Sequence, residues 1–188
     1  VLDAVSGEPM GLFYLDMFPR EGKYNHFAHF GIVDGKRLRD GRYRRPVSAL
    51  ICNFPPPQPG QPSLLSHDEV ETLFHEFGHA MHATLTRANH VRFSGTSVPR
   101  DFVEAPSQML ENWVWDKKVL DGFAADYRDP DKKIPADILD QLDAARKATI
   151  GLFYRRQLSF GLLDLTLHSQ VHAGGTNNVV DLSNRIIS

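Results

Sequence analysis

The sequence has a single cysteine, no long apolar run and no excess of either charge. Cys52 stands alone and cannot form a disulfide within the chain, which favours a reducing compartment. We expect the cytoplasm, with the mitochondrion as the alternative. No apolar run approaches the roughly 20 residues that span a bilayer, so no membrane segment is expected. The net charge of -2 gives no electrostatic case for binding nucleic acid or a membrane surface.

An initiating methionine is also lacking, because the chain begins with Val1. The opening residues are typical of the middle of a domain, so we expect a fragment of a longer protein. Its 188 residues suit one domain, and we therefore predict a single domain over residues 1–188. We expect this domain to be monomeric.

The clearest motif is His-Glu-x-x-His, formed by His75, Glu76 and His79 in an apolar-periodic stretch. On a helix, residues four apart lie about 40° apart in azimuth and roughly 6 Å apart along the axis, so both imidazoles reach one ion. Glu76 projects about 100° round from His75, beside the ion rather than on it. A carboxylate there suits a general base for a metal-bound water. The motif predicts zinc binding and peptide-bond hydrolysis.

A zinc site of this kind needs a third protein ligand. The metzincin pattern is absent, since His82 and Leu85 stand where it requires a glycine and a third histidine. The other standard solution is a glutamate from a second helix. We predict Glu104, because apolar residues recur around it at three- and four-residue steps, as in a largely buried helix: Phe102, Met109, Leu110, Trp113 and Val114.

Three stretches, residues 11–24, 67–82 and 93–116, resemble the M3 metallopeptidases, most closely the thimet oligopeptidase and saccharolysin group. The resemblance weakens after about Tyr127 and across residues 172–178. It implies that His75, His79 and Glu104 bind one Zn²⁺ per chain and that Glu76 is the general base. Members of the family are much longer. They have a helical region before this part and, beyond it, a His- and Tyr-containing segment that contacts substrate.

The resemblance implies a zinc-dependent oligopeptidase that cleaves short peptides with metal-activated water. The closeness of residues 93–116 to the thimet group favours endopeptidase action. Two alternatives stay open. One is a catalytically incompetent fragment that retains the metal-binding fold, and the other is a dipeptidyl carboxypeptidase of the same family.

The predicted fold is α+β and predominantly helical, a zincin-like catalytic core with a small sheet beside the His-Glu-x-x-His helix. The sheet region covers about residues 8–56. Residues 11–18 and 25–33 are predicted to pair as a hairpin, and residues 47–54 form a third strand. We expect this third strand to be an edge strand that pairs with an extended peptide, with an ordinary core strand as the alternative.

Three helical regions are expected after the sheet. The zinc helix covers about residues 66–88 and begins with a capping box formed by Ser66 and Glu69. Gly78 within it predicts close packing, since glycine costs a helix about 1 kcal/mol against alanine. The Glu-ligand helix covers about 101–118. A long helical region follows over about 135–170, with these inward positions: Leu139, Leu142, Ile150, Phe153, Leu158 and Leu162.

Several polar residues are candidates for supporting the site. Glu71 lies four residues before His75 on the same helical face, where its carboxylate can orient that imidazole. The other candidates for outer contacts or substrate contacts are Gln108, Glu111, Arg100 and His82. A solvated or structural role stays open for each of them. His26 and His29 lie three apart on a predicted strand and face opposite sides, so we interpret them as surface or sheet residues.

Overall fold

The computed structural model describes residues 1–170 and 178–187. Most of the 172–178 stretch, where the family resemblance is weak, therefore lies outside the described residues. The chain divides into two compact units, Val1–Ile134 and Pro135–Ser188. That residues 1–188 form one domain stays a prediction. The predicted class is confirmed, because helices predominate beside a small sheet. Within the described residues, no helix is both long and apolar enough to cross a membrane.

The first unit contains five strands: β1 (Leu12–Asp16), β2 (Ala28–Val33), β3 (Lys36–Arg37), β4 (Tyr43–Arg44) and β5 (Val47–Ile51). Strands β1, β5 and β2 form a mixed sheet in that order, with β1 parallel and β2 antiparallel to β5. Strands β3 and β4 pair separately as a short antiparallel ribbon. The predicted hairpin between the first two strands is wrong, because both pair with β5.

Lys23 gives a physical reason for this sheet order. Its ammonium group donates to the carbonyl oxygens of Phe18 (2.7 Å), Asp16 (3.0 Å) and Cys52. The segment after β1 is thereby tied to the end of β5, so β2 enters on the far side of β5. Lys23 is only 3% exposed, and a buried ammonium needs this set of acceptors.

Strand β5 is the centre of the sheet, so the prediction that it is the peptide-pairing edge strand is wrong. Its backbone pairs on one side with β1 and on the other with β2. Ser48 and Leu50 are buried, whereas most residues of β1 and β2 remain partly or fully exposed. The edges of this sheet are therefore β1 and β2, and both contact the helix that carries the His-Glu-x-x-His motif, β1 through the ring of Phe13 against Phe77.

Helix α1 (His67–Thr84) carries the His-Glu-x-x-His motif. The predicted capping box is confirmed: Ser66 Oγ accepts from the Glu69 amide at 3.2 Å, and the Glu69 carboxylate accepts from the Ser66 amide at 2.8 Å. The helix ends four residues earlier than predicted. Just beyond its end, Thr86 Oγ1 accepts from the amide of Gly95 at 3.1 Å, which draws the following loop back against the helix.

The predicted 101–118 helix is broken into pieces: α2 (Arg100–Val103), α3 (Ala105–Glu111), a 3₁₀ turn (Asn112–Trp115) and α4 (Lys117–Asp121). Pro106 explains the first break. It lacks the N–H that a continuous helix would donate to the carbonyl of Phe102, and its ring crowds that position. Glu104 consequently lies at the junction between α2 and α3.

A small apolar core holds α1 against the sheet. It consists of buried Leu50, Cys52 and Phe54 from β5 and the residues after it, together with Ala80 from α1. The Cys52 thiol is fully buried, and this burial raises its pKa to about 11. Because α1 is fixed to β5 by these contacts, the histidine-bearing part of α1 has a defined position relative to the sheet.

At Gly78 the helices α1 and α3 are in close contact, as the presence of glycine in a helix predicted. A Cβ at position 78 would lie 2.5 Å from Ser107 Cα and 2.8 Å from the Pro106 carbonyl oxygen. We expect Gly78→Ala to lower the free energy of unfolding by about 1–3 kcal/mol, because backbone atoms must move. Denaturant unfolding measures this. Gly161→Ala is the matched control, since the space there is open and the change should stabilise the helix by up to about 1 kcal/mol. Equal effects of both changes would contradict the close packing.

The second unit consists of α5 (Ala136–Ala148), α6 (Ile150–Gln170) and α7 (Val179–Ile187). The predicted helical region 135–170 is thus two helices, interrupted at Thr149. Of the predicted inward positions, Leu139 is buried, whereas the others are exposed: Leu142, Ile150, Phe153, Leu158 and Leu162. The prediction is wrong for these five. Apolar residues occur on several sides of α6, and the contacts of α5 and α7 cover only part of its surface.

Candidate metal centre

Two histidines and one glutamate converge from α1 and the α2–α3 junction. His75 and His79 lie on one face of α1, with ring centroids 5.0 Å apart. Glu104 Oε2 lies 3.3 Å from His75 Nε2 and 3.1 Å from His79 Nε2. Ser107 Oγ donates to the same carboxylate oxygen at 2.9 Å and holds its orientation. The close packing of α3 on Gly78 is what brings Glu104 to the histidines.

These residues fit a zinc ion. In a tetrahedral site with ligands about 2.0–2.1 Å from zinc, neighbouring donor atoms lie about 3.3 Å apart. Both oxygen–nitrogen distances at Glu104 agree with this spacing, and all three donor atoms lie within 4.8 Å of one another. Two imidazoles and one carboxylate are also a donor set that zinc uses in hydrolytic sites, with a fourth position left for water or substrate.

His75 has a carboxylate on its other ring nitrogen. Its Nδ1 lies 2.6 Å from Glu111 Oε1, at the end of α3. A carboxylate only accepts, so Nδ1 carries the proton and Nε2 keeps its lone pair for a metal ion. This arrangement fixes the ring orientation and increases its basicity as a metal ligand.

Glu76 points to the side of the sheet and is only 8% exposed. Burial raises the pKa of this carboxyl, since the charged form loses water, and nearby His75 partly offsets the rise. A cavity of about 390 Å³ opens beside it, lined by Phe27, Glu71, Thr72, His75, Glu76 and Glu111. The carboxylate thus faces a space that admits water or a substrate group.

The sequence profile of peptidase family M3 matches residues 1–186. The chain belongs to peptidase family M3. It is 47% identical to the thimet-like oligopeptidase of Dictyostelium discoideum over 97% of this chain and 27% of that protein. It is 42% identical to saccharolysin of Saccharomyces cerevisiae over 89% of this chain and 24% of the relative. Oligopeptidase A of Escherichia coli is 43% identical over 88% of this chain and 24% of its own length. The chain thus spans about a quarter of the length of these relatives.

The other residues that were predicted to make outer contacts or substrate contacts differ in how they lie around the three candidate ligands. Glu71 accepts a hydrogen bond from Trp115 Nε1 at 3.0 Å, while Glu111 is the carboxylate on His75 Nδ1. The imidazole of His82 packs edge-on against Phe102, one turn beyond His79. Gln108 on α3 and Arg100, the first residue of α2, are exposed.

His29 is a neighbour of the candidate metal centre that sequence reasoning missed. It lies on β2, as a sheet residue should, but its ring centroid is 6.2 Å from that of His79. Burial lowers the pKa of His29 to about 4, with smaller contributions from His79 and His82. Alternation placed His29 on the opposite face to His26. It did not indicate which face of the strand packs against α1, because that depends on the sheet order.

Proposed function

We propose that this chain is the catalytic core of a zinc-dependent oligopeptidase, an endopeptidase that hydrolyses short peptides with one Zn²⁺ per chain. The observation that carries the proposal is the convergence of His75, His79 and Glu104 at zinc-like spacing, with the buried Glu76 carboxylate next to them. Membership of the M3 peptidase family supports it.

Zinc bound at these donors supplies a Lewis acid that polarises the peptide carbonyl and lowers the pKa of a water molecule toward 7. Glu76 takes the proton of the attacking water and delivers it to the leaving amine, acting first as general base and then as general acid. Glu111 keeps the His75 ring in the tautomer that presents Nε2. Ser107 holds the Glu104 carboxylate in place.

Strand β2 is the structural feature best suited to align a peptide substrate. It is an edge strand, and the backbone of His29 lies close enough to the Glu76 carboxylate to lower the pKa of that group. An extended peptide can add to such an edge through main-chain hydrogen bonds, largely independent of its side chains. This pairing would bring a backbone carbonyl over the histidines and suits an enzyme that accepts many short peptides.

A metal-binding but catalytically incompetent chain is the second candidate. It is favoured by the observation that this chain spans about a quarter of its relatives' length. Groups that bind the peptide or stabilise its transition state in a full-length protein can lie outside these residues. This candidate keeps the zinc site and differs from the first only in turnover.

Peptide cleavage by the purified chain tests the proposal. Quenched fluorescent peptides of increasing length are incubated with the zinc-loaded chain and with the chain stripped by a chelator. We expect zinc-dependent cleavage at internal bonds, with products identified by mass spectrometry. Sequential release of C-terminal dipeptides would indicate a dipeptidyl carboxypeptidase instead. Stoichiometric zinc without cleavage would favour the incompetent chain.

We further propose that the chain is monomeric and works in the cytoplasm, with the mitochondrion as the alternative. The lone buried Cys52 supports a reducing compartment. Peptides are its proposed partners, and the net charge of -2 supports neither nucleic acid nor membrane as a partner.

A further inference from the structure

The two candidate histidine ligands differ in what holds their second ring nitrogen. His75 Nδ1 is bonded to Glu111 at 2.6 Å. His79 Nδ1 is buried and makes no hydrogen bond to any residue within 1–170 or 178–187. Histidines that bind metals almost always donate this second N–H to a carboxylate, a carbonyl or water, which fixes the ring and its tautomer. A partner for His79 Nδ1 is therefore required by the chemistry of the site.

The imidazole of His29 packs beside the ring of His79. The two rings are inclined at 34°, with centroids 6.2 Å apart. His29 Nε2 is itself buried and has no hydrogen-bonding partner among the described residues. His82 Nδ1, one turn along α1, is in the same condition. Three buried imidazole nitrogens, one each from His79 and its neighbours His29 and His82, thus lack a hydrogen-bonding partner among the described residues.

The separation of the rings decides how His29 and His79 can interact. A centroid distance of 6.2 Å leaves too wide a gap for a direct hydrogen bond between ring nitrogens. A water molecule can bridge two ring nitrogens that are too far apart to bond directly, and buried waters typically make two to four hydrogen bonds to such polar groups. A second metal ion does not fit as well, because only His75, His79 and Glu104 form a metal-capable group of three among the described residues.

We propose that His29 is a positioning residue for the zinc ligand His79, acting through a single water that bridges His29 Nε2 and His79 Nδ1. This inference rests on the proposed zinc site. The His79 Nδ1–H donates to the water oxygen, and the water donates one of its hydrogens to His29 Nε2, which carries no proton. Strand β2 then serves two purposes: its backbone edge faces the substrate, and its histidine orients a ligand.

Zinc affinity and cobalt spectra of His29 variants test the inference. His29→Phe keeps a flat ring on a strand position but removes both nitrogens, while His29→Gln keeps a polar group near the Nε2 position. His168→Phe is the matched control, because it removes an exposed imidazole from α6 in the other unit. Zinc dissociation constants are measured by competition with a chelator, and Co²⁺ replaces zinc for visible absorption spectra.

We expect His29→Phe to weaken zinc binding by about 10–100-fold and to shift the cobalt absorption bands, as is typical when an outer hydrogen bond to a ligand is lost. His29→Gln should recover most of the affinity, and His168→Phe should bind zinc like the unchanged chain. Circular dichroism of the metal-free variants checks that the fold is retained. If His29→Phe leaves the zinc affinity and the cobalt spectra unchanged, the positioning role is wrong and the proposed function still stands. If the unchanged chain binds no zinc, both the positioning role and the proposed function are wrong.

Discussion

Replacing Glu104 with glutamine is expected to remove high-affinity zinc binding. The side chain keeps its size, but the charged oxygen that lies 3.3 Å from His75 Nε2 and 3.1 Å from His79 Nε2 becomes part of a neutral amide. Loss of an outer partner costs roughly 10–100-fold in metal affinity, and we expect loss of a direct ligand to cost more. Chelator competition measures the change.

Asp101→Asn is the matched control for this variant. Asp101 is an exposed acid on α2, three residues before Glu104, and is not a member of the metal-capable group. The control should bind zinc like the unchanged chain. If Glu104→Gln binds zinc as well as the unchanged chain, Glu104 is not a ligand and a different residue must be the third one.

Replacing Glu76 with glutamine is expected to abolish peptide hydrolysis while zinc stays bound. The carboxylate lies beside the three donors, not among them, so its loss removes proton transfer and leaves the ligands unchanged. Loss of a general acid–base group lowers rates by about 10²–10⁴-fold. The cleavage rate and the zinc content of the same preparation are both measured.

Asp68→Asn serves as the control, since Asp68 is an exposed acid in the first turn of the same helix. We expect nearly unchanged cleavage from it. If Glu76→Gln retains full activity, the assignment of the base is wrong. If it loses zinc as well as activity, Glu76 acts in metal binding and not in proton transfer alone.

The candidate ligands were predictable from sequence because helical spacing is local. Four residues between His75 and His79 determine that they share a face, whatever the rest of the chain does. Glu104 was predicted on a continuous helix, yet it lies at a break. Glu104 still lies next to the histidines, because α3 packs against α1 at Gly78 and this packing places the α2–α3 junction beside them.

The sheet order was not predictable in the same way. Alternation along residues 25–33 and 47–54 indicates strands but not which strand lies in the centre. Contacts distant in sequence determine that order, such as the bond between the buried Lys23 ammonium and the carbonyl of Cys52. The neighbourhood of His29 depends on the same order, because β2 must lie beside the histidine-bearing part of α1 before His29 can approach His79.

The most direct test of the zinc site is the zinc content of the purified chain, measured by elemental analysis after dialysis against metal-free buffer. We expect close to one zinc per unchanged chain. The Glu104→Gln variant should lose this zinc, and the Glu76→Gln variant should retain it. Zinc content near zero in the unchanged chain would contradict the proposed zinc site, since His75, His79 and Glu104 would then not form a working site within these residues.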